Sequence, residues 1–319
     1  MTCRQFVAVG SASAFWVVLV SGCGSGDAKS QDSPGEAGVG TGAGGAAGGS
    51  GGPSGAGGPA SGADARDAAL AGVDVPLDLV TADITINRPD GSPSSYNPCP
   101  PAGMPCRILP FGDSITDGAG SSGGGYRVPL FRMSLAAKQA ITFVGSASNG
   151  PAMVDGAVFP RLHEGHSGFT IDPGGGRAGI SPLVDRVMAA QKPHIVLLMI
   201  GTNDIDIKLD VANAPARLAA MLDKIAAAAP EALIVLAQMV PTGNDTTNGR
   251  VRDYNNAMPD LVGTRAAAGK HVILVDMYGA FTANVAYKTA LMSDGLHPKD
   301  AGYLVMADVW YQAIGALLR

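Results

Sequence analysis

Between Gly24 and Gly62, 16 of 39 residues are glycine, set among Ala, Ser and Pro with almost no large apolar side chain. Such a stretch cannot bury enough surface to offset the entropy of ordering its backbone, so no core can include it. The chain is therefore two polymers in series, and a large share of its 45 glycines in 319 residues falls in the first. Treated as a flexible coil, residues 24 to about 73 reach on the order of 40 Å. The remainder is long enough for one sizeable core.

Ahead of this tether, residues 1–22 carry one charge, Arg4, and an apolar run from Phe6 to Val20. At 15 residues the run is shorter than the roughly 20 that a spanning helix needs, and it reads as an export signal. It ends in Val20-Ser21-Gly22-Cys23, which resembles the lipobox of bacterial lipoproteins. That resemblance implies cleavage before Cys23 and lipidation of its thiol, with the membrane as a partner; an ordinary secretory peptide is the alternative. Several acyl chains at ~0.8 kcal/mol per buried CH₂ would hold the chain firmly. The expected location is an outer membrane or cell surface rather than free medium. Net charge is −5, with no basic excess to neutralise phosphates, which excludes a nucleic-acid partner.

Four cysteines are too few for a disulfide scaffold and wrongly spaced for a zinc knuckle. Cys99 and Cys106 enclose Pro100-Pro101-Ala102-Gly103-Met104-Pro105. In an exported chain they are most simply a disulfide, with two free thiols as the alternative. Residues 23–73 are the tether and 74–105 an irregular lead-in, whose Leu79, Val80, Ile84 and Ile86 offer at most one short strand.

From 106 to 319 short β-rich apolar runs alternate with helical periodicity, the pattern of a parallel sheet covered on both faces. Five strands are expected: Ile108 to Phe111, Ile141 to Val144, His194 to Ile200, Leu233 to Met239 and Val272 to Asp276. Ser181-Pro182 reads as the N-cap and first turn of one helix. A second spans about Ala214 to Ala229, with Leu218, Leu222 and Ile225 on one stripe. A third, about Val251 to Ala268, should kink or break at Pro259. The last begins at Pro298 and lays Tyr303, Met306, Trp310, Ile314 and Leu317 on one face. The fold class is α/β, a three-layer α/β/α sandwich with a five-stranded parallel sheet.

In such sheets ligands bind beyond the carboxyl ends of the strands. After the first strand, Gly112-Asp113-Ser114-Ile115 places a serine on a turn into a helix, where it reads either as a nucleophile or as part of a helix cap. After the third, Gly201-Thr202-Asn203-Asp204 offers an uncharged amide donor. Near the end, Asp294-Gly295-Leu296-His297-Pro298 puts a carboxylate three residues before a histidine, close enough to fix its tautomer.

Gly112-Asp113-Ser114-Ile115, Gly168, Gly201-Thr202-Asn203-Asp204 and Asp294-x-x-His297 resemble, in order and spacing, the blocks of the SGNH or GDSL-type hydrolases. His163-Glu164-Gly165-His166-Ser167-Gly168-Phe169, Tyr126-Arg127 and Gly295-Leu296-His297-Pro298 with Gly302-Tyr303 are most similar to carbohydrate esterase family three, whose members are acetylxylan esterases. The resemblance spans about Ile108 to Leu318. It implies a flavodoxin-like hydrolase fold and deacetylation of a polysaccharide through an acyl-enzyme, with no cofactor. Ser114 would be the nucleophile, His297 the general base and Asp294 its orienting acid. The oxyanion donors would be the backbone N–H groups of Ser114 and Gly168 and the Asn203 amide. Phe169 stands where the family motif has tryptophan, and Gly118 to Gly125 and Gly174-Gly175-Gly176-Arg177 read as mobile loops near the mouth.

Other polar residues have plainer readings. His163, Glu164 and His166 lack the spacing of a zinc helix, and their glycine neighbours point to a loop. Asp113, Asp117 and Asp204 suit helix caps and turn-fixing bonds as well as substrate contact, while Arg127 should pair with a carboxylate or position a loop. The alternatives to a carbohydrate esterase are a general GDSL lipase or esterase acting on other short acyl esters, and a non-catalytic glycan-binding module.

Overall fold

The computed structural model describes the backbone of Thr85–Asn87 and Pro93–Ser95, and residues 96–319 in full. The expected signal peptide, Cys23 and the expected tether lie outside the described residues. Thr85–Asn87 and Pro93–Ser95 pair antiparallel, so the lead-in holds two short strands where one at most was expected. Cys99 and Cys106 are disulfide-bonded, with Cα atoms 5.0 Å apart, at the entry to the main sheet.

That sheet has seven strands: β1 (Cys106–Gly112), β2 (Ile141–Phe143), β3 (Ala147–Ser148), β4 (Leu162–Gly165), β5 (Ile195–Met199), β6 (Leu233–Ala237) and β7 (Val272–Val275). Their order is β7-β6-β5-β1-β4-β3, with β2 also on β1. All five expected strands are present and parallel. One edge of β1 is shared, Cys106–Ile108 pairing with β2 and Phe111–Gly112 with β4. The segment read as a loop, His163-Glu164-Gly165, is therefore a sheet strand. It has no apolar run because it adds only two paired positions to β1, and its side chains meet polar partners.

The helices are α1 (Ser114–Asp117), α2 (Arg127–Ala136), α3 (Val184–Gln191), α4 (Thr202–Asp206), α5 (Ala214–Ala228), α6 (Asp245–Ala267), α7 (Met277–Thr282), α8 (Tyr287–Ala290) and α9 (Asp300–Ile314). Alternating strand residues face opposite ways and build two cores. Ile108, Leu197 and Val235 pack with Leu130 of α2, Phe281 of α7 and Trp310 of α9. Leu109, Leu198 and Leu236 pack with Val187 of α3, Leu222 of α5 and Met258 of α6. This is the three-layer arrangement.

Four local expectations are corrected. Pro259 does not break α6, because it withdraws a single N–H while Met258 and Val262 are buried and the Asn255 amide holds Met239 N and O at 2.9 and 3.0 Å. The helix also starts earlier, where the Asn244 side chain accepts from Thr247 N–H at 2.9 Å. Ser181 is no N-cap: a 3₁₀ turn Ser181–Leu183 precedes α3, and Ser181 Oγ donates to Asp172 instead. The last helix begins at Asp300, two residues after Pro298.

Candidate active site

Sheet register decides which loops meet. Gly112, the last residue of β1, is in register with Met199 of β5 on one side and with Gly165 of β4 on the other. The segments leaving these three strands at their carboxyl ends therefore emerge side by side, carrying Ser114, Asn203 and Gly168. His166 N–H donates to Gly112 O at 2.9 Å and fastens two of them.

Ser114 opens α1, and Asp113 caps that helix by accepting from Ile115 N–H at 3.0 Å. The capping role anticipated for Asp113 thus coexists with a chemically placed serine. Asp113 is fully buried, and burial pushes its carboxyl up to about 6, with the Ile115 amide and the nearby Thr202 hydroxyl offsetting part of the rise.

Ser114 Oγ lies 2.9 Å from His297 Nε2, across 183 residues of chain. His297 Nδ1 lies 2.9 Å from Asp294 Oδ2. Asp294 Oδ1 accepts the Leu296 and His297 amides at 2.6 and 2.7 Å, so one carboxylate folds its loop and orients its ring. Partial burial alone would raise its pKa, but the bonds from the His297 ring and from these two amides outweigh it and hold the carboxyl below the usual value. An alcohol, an imidazole and a carboxylate in this order can pass a proton from oxygen to nitrogen.

The loop carrying His297 is braced by the glycine-rich segment anticipated as mobile. Tyr303 Oη donates to Ala119 O at 2.7 Å, and Ser122 N–H to Asp300 Oδ1 at 2.8 Å. Ser293 Oγ and N both donate to His297 O, at 3.0 and 2.9 Å. A Cβ on Gly120 would sit 2.3 Å from Ser293 Oγ and 2.5 Å from Pro298 O, so the two loops are in direct contact.

On the other flank Asn203 is 4% exposed, and its Nδ2 donates to Phe169 O at 2.7 Å, leaving one N–H of the amide without a protein acceptor among the described residues. Gly168 has φ +83°, a left-handed conformation, and a Cβ there would lie 3.2 Å from the Arg177 guanidinium. Among the described residues neither the Ser114 nor the Gly168 amide donates to a protein acceptor. Three N–H groups are thus unspent on adjacent segments.

The remaining named residues are structural supports. His166 Nε2 meets Glu164 Oε2 at 2.8 Å and stacks on Phe169 with ring centroids 5.0 Å apart. Glu164 is buried, its other oxygen accepting Ser146 N–H at 2.6 Å. Burial would raise its pKa, and the bonds from His166 and Ser146 bring it below the ordinary value. His163 Nδ1 accepts Gly165 N–H at 3.0 Å, and burial, with the Arg127 charge, lowers its pKa to about 4. Asp117 holds Asn149 Nδ2 at 2.6 Å and Ser167 Oγ at 2.8 Å. Buried Arg127 donates to Arg161 O at 2.9 Å and to Asn149, so it positions a loop instead of pairing with a carboxylate. Asp204 accepts Ile171 N–H at 3.0 Å and Arg217 at 2.9 Å, which makes it a fold-fixing group. The residue missed in the sequence is Arg177, whose guanidinium reaches both Gly168 and Asn203. No spacing rule connects it to them.

The model of the GDSL-like Lipase/Acylhydrolase family matches residues 111–305, from the end of β1 into α9. A family 3 carbohydrate esterase from Clostridium thermocellum is 30% identical, with TM-score 0.57, covering 67% of this chain and 98% of its own. One from Talaromyces cellulolyticus, 22% identical with TM-score 0.54, covers 66% of this chain and 98% of its own, a likeness of fold. The multidomain esterase of Ruminococcus flavefaciens is 26% identical over 229 residues, and the chain spans 29% of that protein's length. The chain belongs to the GDSL-like lipase/acylhydrolase family, as a carboxylic ester hydrolase built on the SGNH fold.

Proposed function

We propose that this protein is an exported, lipid-anchored carbohydrate O-deacetylase that removes acetyl groups from xylan or a similar polysaccharide through an acyl-enzyme on Ser114. The observation that carries it is the unbroken relay Ser114 Oγ, His297 Nε2, His297 Nδ1, Asp294 Oδ2, each contact 2.9 Å. The carbohydrate ester is supported by the 30% identical family 3 carbohydrate esterase and by the motif resemblance to acetylxylan esterases. Export and anchoring through Cys23 are supported by the sequence of residues 1–23.

In this reading His297 Nε2 takes the Ser114 proton as Oγ attacks the acetyl carbonyl. The tetrahedral oxyanion accepts from Ser114 N–H, Gly168 N–H and the free N–H of Asn203, donors already in place before the charge develops. His297 returns the proton to the departing sugar oxygen. Water, deprotonated by the same ring, then attacks the acyl carbonyl, and Ser114 leaves with the proton as acetate is released. Asp294 keeps the Nδ1–H tautomer and stabilises the charged ring in both halves.

The test is acetate release from acetylated xylan by the purified protein, alongside p-nitrophenyl esters of increasing acyl length. Release from xylan, with activity falling as the chain lengthens and abolished in Ser114→Ala, supports the reading. Brisk cleavage of long-chain esters with no acetate from xylan would replace it with a general lipase.

A further inference from the structure

The turn Gly174–Arg177 has no part in the steps above, yet it ends beside the oxyanion donors. Gly174 N–H donates to Arg177 O at 3.0 Å and Arg177 N–H to Gly174 O at 2.9 Å, closing a two-residue turn. Gly175 and Gly176 have φ of +59° and +76°, the pair of positive angles a type I′ turn requires. Cβ atoms at 174 and 175 would lie 2.9 Å from the Leu209 side chain and 2.8 Å from that of Ile207, so the turn rests on the segment after α4. The base of the same excursion is pinned where Ile171 N–H donates to buried Asp204. From there Arg177 Nη1 reaches Gly168 O at 3.2 Å and Asn203 Oδ1 at 3.3 Å.

We propose that Arg177 is the positioning residue of the oxyanion hole, locking and polarising Asn203 and Gly168 without touching the substrate. The proposal rests on the reading of those two residues as oxyanion donors. An asparagine amide presents nearly the same shape either way round, but only one orientation offers an N–H to the reacting oxygen. Phe169 O engages one end of the Asn203 amide and Arg177 the other, so both ends are assigned. The guanidinium charge also draws electron density toward Oδ1 and makes the free N–H a stronger donor. Holding Gly168 O at the same time prevents the Gly168–Phe169 peptide from turning its carbonyl toward the reacting carbon. Both contacts use one nitrogen, so a lysine ammonium can replace part of the function although it lacks the guanidinium fork.

The experiment measures kcat and KM on p-nitrophenyl acetate for Arg177→Ala, Arg177→Lys, Asn203→Ala and the Arg177→Ala/Asn203→Ala double variant, each with its thermal unfolding curve. Arg177→Ala should lower kcat roughly 10- to 100-fold, less than the 10²- to 10³-fold of a lost donor, with KM within about twofold. Arg177→Lys should lie between it and the parent, added guanidinium ion should restore part of the alanine variant's kcat, and the double variant should be slower than Asn203→Ala by clearly less than the single Arg177→Ala effect, the remainder being the Gly168 share. An increase confined to KM, a double variant slower by the product of the two effects, or a rate loss that follows lowered melting and is not recovered by guanidinium would overturn the proposal. If Asn203→Ala itself keeps full kcat, the site reading fails; if Asn203→Ala is slow while Arg177→Ala is not, only the positioning role fails.

Discussion

The buried imidazole of His163 makes acid a specific threat to the strand that leads into Gly168. Its pKa is lowered to about 4 from 6.5 by burial and by the Arg127 charge. Below pH 6.5 the unfolded chain therefore binds a proton that the folded chain refuses, and stability rises with pH through the window from 4 to 6.5. His163's contribution is complete above 6.5 and is lost as pH falls through that window. Between pH 7 and pH 4.5 the loss amounts to about 2–2.5 kcal/mol. Asp113 acts in the opposite sense: with its carboxyl pushed up to about 6, the folded state holds a proton that the unfolded state releases, so its contribution grows as pH falls toward 3.8. A comparison of parent and His163→Asn cancels that opposing contribution, because Asp113 is common to both. Asparagine keeps an acceptor for Gly165 N–H and carries no charge at any pH. Urea unfolding at both pH values should show His163→Asn less stable than the parent at pH 7, with the gap closing by about 2 kcal/mol or reversing at pH 4.5. A difference between the two proteins that stays constant with pH would refute the reasoning.

Two further outcomes follow from the geometry. Asp294→Asn should lower kcat roughly 10²- to 10⁴-fold by removing the anion that holds the Nδ1–H tautomer, checked by steady-state kinetics on p-nitrophenyl acetate with folding verified by circular dichroism. Replacing both Cys99 and Cys106 by serine should cost about 2.5 kcal/mol of stability, as expected for so small a closed loop, while kcat at 25 °C stays within about twofold because the bridge lies at the opposite end of β1 from Ser114; denaturant titration and a rate measurement check the two halves separately.

What could be read in the sequence was whatever each segment settles locally. The apolar runs of β5 and β6 are buried throughout and that of β1 almost so, while β2 and β7 are shorter and partly covered, and none needs a partner to be recognised. Ser114, Asn203 and His297 stand within a few residues of strand or helix ends, where the sheet architecture alone makes side chains converge. β4 lacks such a run: His163 and Glu164 are polar, and the strand exists because β2 stops at Phe143 and leaves Phe111 and Gly112 of β1 unpaired. The continuity of α6 through Pro259 depends on Asn255 reaching Met239 from another element. Arg177 is further from legibility still, since its acceptors come from the loop after β4 and from α4, and an arginine after three glycines carries no local mark of such neighbours.

The contact of Gly120 with Ser293 and Pro298, and the tie from Tyr303 to Ala119, join the loop that follows α1, which carries Ser114, to the loop that carries His297. Neither can swing without dragging the other. Movement at the mouth of the site then leaves the Ser114–His297–Asp294 contacts unbroken, and no closing step is needed to assemble them. An ester that enters the site therefore meets Ser114, His297 and Asp294 already in line.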